Sequence, residues 1–393
     1  MGIFIFIVLL LSTNCYNLYF LNNPRLFDIL NLILAVIFII GSIIKKNKNH
    51  TNYPSLVQFM NLFMVAIFLS FFVAYIDWQQ GFITSFIAVR SFLWLSFGYF
   101  LIKQDVKIID LTKGLKLFAI GYILIVFLSN ISPQLEILFK SPNYMNEKEV
   151  SDLFLGIEFI VFYFYFRLGG ALESRTFSLK QILWLVVLFV VIILSDNRTT
   201  IFSLIAVTSY VLITDKRIKI SYKVITIALV FPVAYFFIAD TLSILVTQTL
   251  TELNNPEYNR IKSFYFLITE FSKSWLGYIF GNGFASLKSS YGQYVHTLKL
   301  QGIYQSDMGL IGLWSMFGVI AVYAIFKNII FMIFKKKSHL AFRLQALHII
   351  FGFLMYSFIL EFQIAYFIIL IYLFERVYNE KRKNPDFRLS SYI

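Results

Sequence analysis

Apolar runs of membrane-spanning length follow one another through most of this chain. A single long polar gap, from about Asp240 to Ser306, breaks the second half of the series. The runs restrict the fold before anything else is read. A bilayer core takes about 20 apolar residues per helix, and every backbone N–H and C=O within it must find a partner inside the protein. Only helices or a closed barrel satisfy that demand. Stretches such as Ile29–Ile44 and Ile182–Leu194 are apolar almost without interruption, whereas barrel strands would alternate, so helices follow. Composition agrees. Charged residues make up 14% of the chain, against roughly 25% in soluble domains, and the mean hydropathy is +0.75. The expected class is an all-α integral membrane protein.

About twelve transmembrane helices are expected, over 2–21, 26–44, 55–76, 81–102, 113–131, 152–169, 180–196, 199–214, 219–239, 306–333, 339–358 and 361–376. Basic residues cluster at Lys45–Lys48, Lys103–Lys116, Arg167–Lys180, Lys216–Lys223, Lys335–Lys337 and Arg376–Arg388. These segments hold 22 of the 34 lysines and arginines, and they fall at every second gap between spans. Cytoplasmic loops carry such an excess. Both termini are therefore expected in the cytoplasm, and the long gap, 240–306, becomes one large extracytoplasmic loop within a single polytopic domain. The net charge of +13 is then mostly a matter of topology and implies no nucleic acid. The first apolar run lacks a basic leader and a small-residue cleavage site, and is read as a retained helix. One cysteine, Cys15, excludes an internal disulfide, and four histidines lie too far apart for a zinc motif. No internal repeat of the transporter kind is visible.

The long loop has a pattern of its own. Asn255-Pro256-Glu257 reads as a helix start, and Ile261, Phe264, Ile268, Phe271 and Trp275 then recur at three- and four-residue spacing. Such an amphipathic helix lies in the membrane interface or caps the bundle. Gly281-Asn282-Gly283 breaks the pattern, and a second short segment comes after it around Tyr294–Gly302. Arg260 falls in the first turns of the helix, where unpaired N–H groups favour an anion; the plainer reading is a salt bridge to Glu257. His296 is the one histidine this topology leaves outside, and a neutral imidazole suits removal of a proton from a hydroxyl, although a lone loop histidine is commonly only a surface residue. Arg198 sits in the short external turn Ser195–Thr200, where a rigid guanidinium can grip a lipid-linked phosphate, snorkel to headgroups or pair with Asp196. Arg90 falls near the middle of the span 81–102. A charge there needs a polar cavity or a partner, with Glu158, Glu361 and Asp77 as candidate acids. Asp307, where the loop re-enters the membrane, could serve as base or orient an acceptor hydroxyl, or simply cap the next helix. No phosphate loop, hydrolase elbow or metal motif appears, so no cofactor and a metal-independent chemistry are expected.

Taken in order, Ser195–Thr200 with its arginine, Arg260 early in the loop, Gly281-Asn282-Gly283-Phe284, His296, Ser306–Gly312 and Phe317-Gly318 resemble the polysaccharide polymerase and O-antigen ligase superfamily (Wzy-type polymerases and WaaL-type ligases). The resemblance covers about Leu153 to Phe334; the earlier helices match only as hydrophobic spans. It implies inverting glycosyl transfer at the extracytoplasmic face of a bacterial cytoplasmic membrane, from a glycan on undecaprenyl diphosphate. The acceptor would be a lipid-linked repeat unit of O-antigen or capsule in a polymerase, or lipid A–core in a ligase. Arg198 and Arg260, with Arg90 as a further candidate, would bind the diphosphate, His296 would act as base, and Asp307 would assist. The Ser306-Asp307-x-Gly re-entry is the more polymerase-like feature. Membrane lipids, a chain-length regulator and a flippase are the further partners implied. A lipid-linked oligosaccharide flippase is the rival from another class, but such a transporter should line its spans with more charge than Arg90 and a few acids.

Overall fold

The computed structural model describes residues 1–17, 24–44, 52–131, 155–174, 178–195, 198–214, 220, 224, 259–305, 308–335, 338–352, 361–384, 387 and 389, and the long elements among them are all helices. Helix α1 (Gly2–Ser12) stops where the Ser12 and Thr13 hydroxyls donate to Leu9 O, at 2.8 and 3.1 Å, and Asn14, Cys15 and Tyr16 take positive φ. Three consecutive left-handed residues cannot continue a right-handed helix, so the expected span 2–21 is cut short. Helices α2 (Pro24–Ile44) and α3 (Pro54–Trp78) each open on a proline, whose missing N–H is harmless in a first turn. At the start of α3 the freed amides of Ser55 and Leu56 donate to the Glu375 carboxylate at 2.8 and 3.0 Å. A residue from the last helix thus does the work of an N-cap.

The expected span 81–102 is broken. It comprises α4 (Phe82–Ala88), a 3₁₀ segment Arg90–Leu95 and α5 (Ser96–Gln104), with a bend of 63° between α4 and the stretch Arg90–Gln104. Then come α6 (Ile108–Ile131), α7 (Ile157–Ser174), α8 (Leu179–Leu194), which opens on a Ser178–Gln181 capping box, and α9 (Arg198–Thr214). The region beyond holds α10 (Asn259–Thr269), α11 (Trp275–Phe280) and α12 (Ser290–Leu300). The chain continues through α13 (Gly309–Phe334), α14 (Leu340–Phe351) and α15 (Glu361–Lys383).

Among the described residues, four helices are long and apolar enough to cross a membrane: Arg25–Ile44, Pro54–Trp78, Ile108–Ser129 and Gly309–Phe334. The bent pair makes a fifth. The protein is therefore an all-α membrane protein, and among the described residues four or five of the twelve expected spans are long, apolar helices. Helices α1, α8 and α14, and Thr200–Tyr210 of α9, are shorter apolar helices, and α7 carries Glu158, Arg167 and Glu173 along its length. Of the expected span 219–239, only 220 and 224 lie among the described residues.

Burial sorts the helices into layers. Every residue of Phe159–Leu172 in α7 and of Phe362–Glu375 in α15 is buried, and a helix apolar on all sides belongs inside a bundle. Helix α2 is the opposite case: only 28% of its span is buried, so it presents most of its surface to lipid. Since lipid is as apolar as leucine, the interior is held by close packing more than by the hydrophobic effect. Helices α3 and α13 pack antiparallel. Lys327 reaches Gln58 near the start of α3, whereas Trp78 and Ser315 meet the same asparagine at its far end.

The end of the bundle where α15 finishes is tied by ions. Glu173 pairs with His339 at 3.0 Å and Lys381 at 3.3 Å, and accepts the Leu340 N–H at 2.8 Å. His339 Nδ1 accepts the Ala341 N–H, so Nε2 carries the proton given to Glu173. Burial alone would push the Glu173 carboxyl up, but the bonds and charges of His339, Lys381 and Leu340 outweigh it and hold it down at about 2. Nearby, Arg376 binds Asp105 and the Tyr53 hydroxyl.

Candidate functional site

The opposite end of the bundle carries a helical cap, residues 259–305, seated on the Trp78 end of α3 and the Gly309 end of α13. The cap has a small core of its own: Leu267, Phe271, Tyr291, Val295, Leu298 and Ile303 close around Trp78 and Met308. Trp78 is its pillar. The indole stacks on Tyr291 and Tyr294 with centroids 4.5 and 5.1 Å away, and Lys273 Nζ lies 3.9 Å over its ring. Ser274 Oγ donates to Asp77 at 2.5 Å, and Gln80, fully buried in the elbow after α3, donates to Phe284 O and accepts from Ser286 N and Ser289 Oγ.

The amphipathic run expected to reach Trp275 is interrupted. Helix α10 ends at Thr269, and Ser274 caps a new short helix by accepting the Gly277 N–H. The inward face of α10 is Ser263 and Leu267, while Ile261, Phe264 and Ile268 are only half-buried and Trp275 is exposed. The expected start at Asn255-Pro256-Glu257 lies outside the described residues.

A glycine junction locks the cap to the membrane helices. Gly318 interrupts α13 at φ 70°, ψ −171°, a conformation essentially restricted to glycine. The break exposes carbonyls that the 281–283 loop satisfies: Asn282 N donates to Ser315 O at 2.9 Å and Gly283 N to Met316 O at 2.8 Å. The fully buried Asn282 side chain accepts from Trp78 Nε1 at 3.1 Å and donates to Ser272 Oγ and Ser315 O at 2.8 and 3.0 Å. The approach leaves no room for side chains. A Cβ on Gly281 would lie 2.3 Å from Met316 O, and one on Gly318 would lie 2.2 Å from Ile279 O. The loop motif Gly281-Asn282-Gly283-Phe284 and the helix motif Phe317-Gly318 are therefore two halves of one joint.

The five residues expected to carry chemistry fare differently. Arg260, the second residue of α10, is exposed, and its turn is tied to the stretch after α12 by Ser263 Oγ, which accepts the Tyr304 N–H at 3.1 Å. His296 is exposed on α12, on the face opposite Tyr291, Val295 and Leu298. Both therefore belong to the cap surface, with no ion pair for either and no hydrogen bond joining them among the described residues. Between 259 and 305 the cap has five basic residues (Arg260, Lys262, Lys273, Lys288 and Lys299) and one acid, Glu270. Its surface consequently attracts anions.

Arg90 is a correction. It opens the 3₁₀ segment at the break instead of sitting inside a continuous helix, and it pairs with Asp28 of α2 at 2.7 Å; among the described residues it pairs with neither Glu158 nor Asp77, and the Glu361 side chain is not among those described. A break in the span gives the charge an outlet that an uninterrupted helix would deny it. Arg198 begins α9, which packs against α14 and α8, but its side chain is not among those described. Asp307 lies outside the described residues. The supporting residues Trp78 and Gln80 were not expected from sequence, and Asn282 stood out only as part of the Gly281-Asn282-Gly283 motif, without a role of its own. The polar pair Gln79-Gln80 at the end of a long apolar run was the visible hint for one of them. Among the described residues, no three His, Cys, Asp or Glu side chains gather as a metal site would require. No family model matches the chain, and no curated protein matches it.

Proposed function

We propose that this protein is a membrane glycosyltransferase of the surface-polysaccharide polymerase kind, taking a glycan from undecaprenyl diphosphate and adding it to a lipid-linked repeat unit outside the cytoplasmic membrane. The observation that carries the reading is the joint between Gly281-Asn282-Gly283-Phe284 and Phe317-Gly318. Two motifs of the resemblance, apart in sequence, meet in space and fix a basic cap over the bundle. A lipid-linked diphosphate suits such a cap, since its anionic head would lie at the interface while its chain stays in lipid.

In this reading Arg260 and Arg198 hold the diphosphate and balance the charge that grows on it as the bond to the sugar breaks. The acceptor hydroxyl oxygen attacks the anomeric carbon from the opposite side. The electron pair of the broken C–O bond leaves with the diphosphate, and the hydroxyl proton passes to His296, with Asp307 orienting the acceptor. A ligase would share the donor half and differ only in its acceptor.

Deleting the gene and resolving surface polysaccharide on a gel tests the assignment. Loss of the ladder with single-repeat material retained supports polymerisation. Accumulation of unattached polymer points to ligation, and lipid-linked repeats trapped on the cytoplasmic side point to a flippase. If Arg198→Ala and Arg260→Ala both leave chain length and yield untouched, the assignment of the diphosphate site is wrong.

A further inference from the structure

Arg90 offers binding capacity that the cap does not use. Its guanidinium meets Asp28 through one nitrogen, Nη2 to Oδ2 at 2.7 Å, and this is its single ion pair among the described residues. A guanidinium carries five N–H donors in a planar fork, so most of that capacity points elsewhere. The two side chains are 51% and 50% exposed. Their neighbours along the chain are exposed and apolar: Leu26 and Ile29 on α2, Phe86 and Ile87 on α4. On helices of a membrane bundle such surface faces lipid. Asp28 lies four residues past the start of α2, roughly 6 Å along its axis, near one end of the apolar span Arg25–Ile44. An ion pair serving only to offset the insertion of a charge would be expected to be buried and two-pronged. This one is neither.

We propose that this corner of α2 and the α4 break binds the phosphate of a membrane lipid. Arg90 is the phosphate ligand. Asp28 is the counter-ion that holds Arg90 when no lipid is present, and Leu26, Ile29, Phe86 and Ile87 flank the lipid chain. The site does not depend on the reaction proposed above, since a lipid phosphate is held here whether or not a glycan is transferred. Asp28 then sets a ceiling on affinity, because its carboxylate competes with the phosphate for the same donors.

The test uses the full chain in nanodiscs doped with a photoactivatable phosphatidylglycerol or, separately, a photoactivatable polyisoprenyl diphosphate. Labelled peptides are mapped by mass spectrometry. Labelling is expected over residues 24–33 and 82–95. Arg90→Gln should lower it about tenfold, the loss expected of one charge-assisted contact. Arg90→Lys should retain part of it, and Asp28→Asn should raise it several-fold. Labelling by both probes assigns the site to headgroup phosphate in general, and labelling by the diphosphate alone assigns it to the glycan carrier. Labelling that is the same in wild type, Arg90→Gln and Asp28→Asn overturns the proposal and leaves a structural ion pair. Should Arg90→Gln fail to fold, Asp28→Asn decides alone, and no rise in its labelling overturns the site. The polymer ladder is read separately, so failure here and failure of the glycosyltransferase reading are distinct results.

Discussion

The two ends of the bundle are closed in opposite ways. At the Lys381 end, charged side chains tie helices to one another: Glu173 to His339 and Lys381, Arg376 to Asp105, Glu375 to the amides that begin α3. At the cap end the fastening is largely neutral. It consists of the Gly318 joint, the Asn282 and Gln80 amides and the stacked Trp78 cluster, with Asp77 the one acid involved. The difference shows where charge is structural and where it stays available. Because the cap is seated without them, Arg260, Lys288, His296 and Lys299 remain on its surface with no ion pair among the described residues. An end held by neutral contacts can present its cations to a ligand without loosening itself.

That contrast can be broken most directly at Gly318. Gly318→Ala forces a Cβ into the Ile279 carbonyl at positive φ, and a loss of roughly 3 kcal/mol or more is expected. Limited proteolysis should then cut within 259–305 before the rest of the bundle. A variant that melts and digests like wild type would show that the joint does not hold the cap. Asn282→Ala comes next. It removes three hydrogen bonds from a fully buried side chain and should cost about 2–4 kcal/mol, read as a lower melting temperature in detergent.

The ionic end should respond to acid. Glu173 has a depressed folded-state value of about 2 against an ordinary 4.5. Its contribution is therefore full above the ordinary value and is lost as pH falls from there through the folded value, on the order of 3 kcal/mol in total. Melting curves between pH 7 and pH 3 should show the larger part of this loss, and Glu173→Gln should flatten it. The Asn282 and Trp78 contacts do not titrate, so the cap should keep its protease resistance over the same range. The smallest effect on stability belongs to Arg260→Gln and His296→Gln, each within about 0.5 kcal/mol, although both should reduce polymer yield sharply. If either unfolds the cap, its charge is structural after all.

Much of the fold was readable because hydropathy is a local property. Helices α2, α3 and α13 fall close to their expected limits, and Pro54 marks a helix start without any tertiary knowledge. The stop of α1 was less visible. It depends on Asn14, Cys15 and Tyr16 adopting left-handed geometry, where the Tyr16 hydroxyl donates to Phe118 O at 3.0 Å on another helix. The cap was recognisable as an amphipathic region, but its division at Ser272–Ser274 is fixed by partners from α3, Asp77 and Trp78. Arg90 was noticed for its setting, yet its acid came from a helix 62 residues away.

The sequence by itself determined the class, the approximate limits of helices α2, α3 and α13 and the presence of a long polar segment, since each follows from how adjacent residues meet lipid or water. Only the tertiary structure decided that Asn282 would meet Trp78 across 204 residues, that two glycine motifs would form one joint, and that Asp28 would answer Arg90. Those outcomes depend on which faces of distant helices come together, and no local pattern of polarity carries that information.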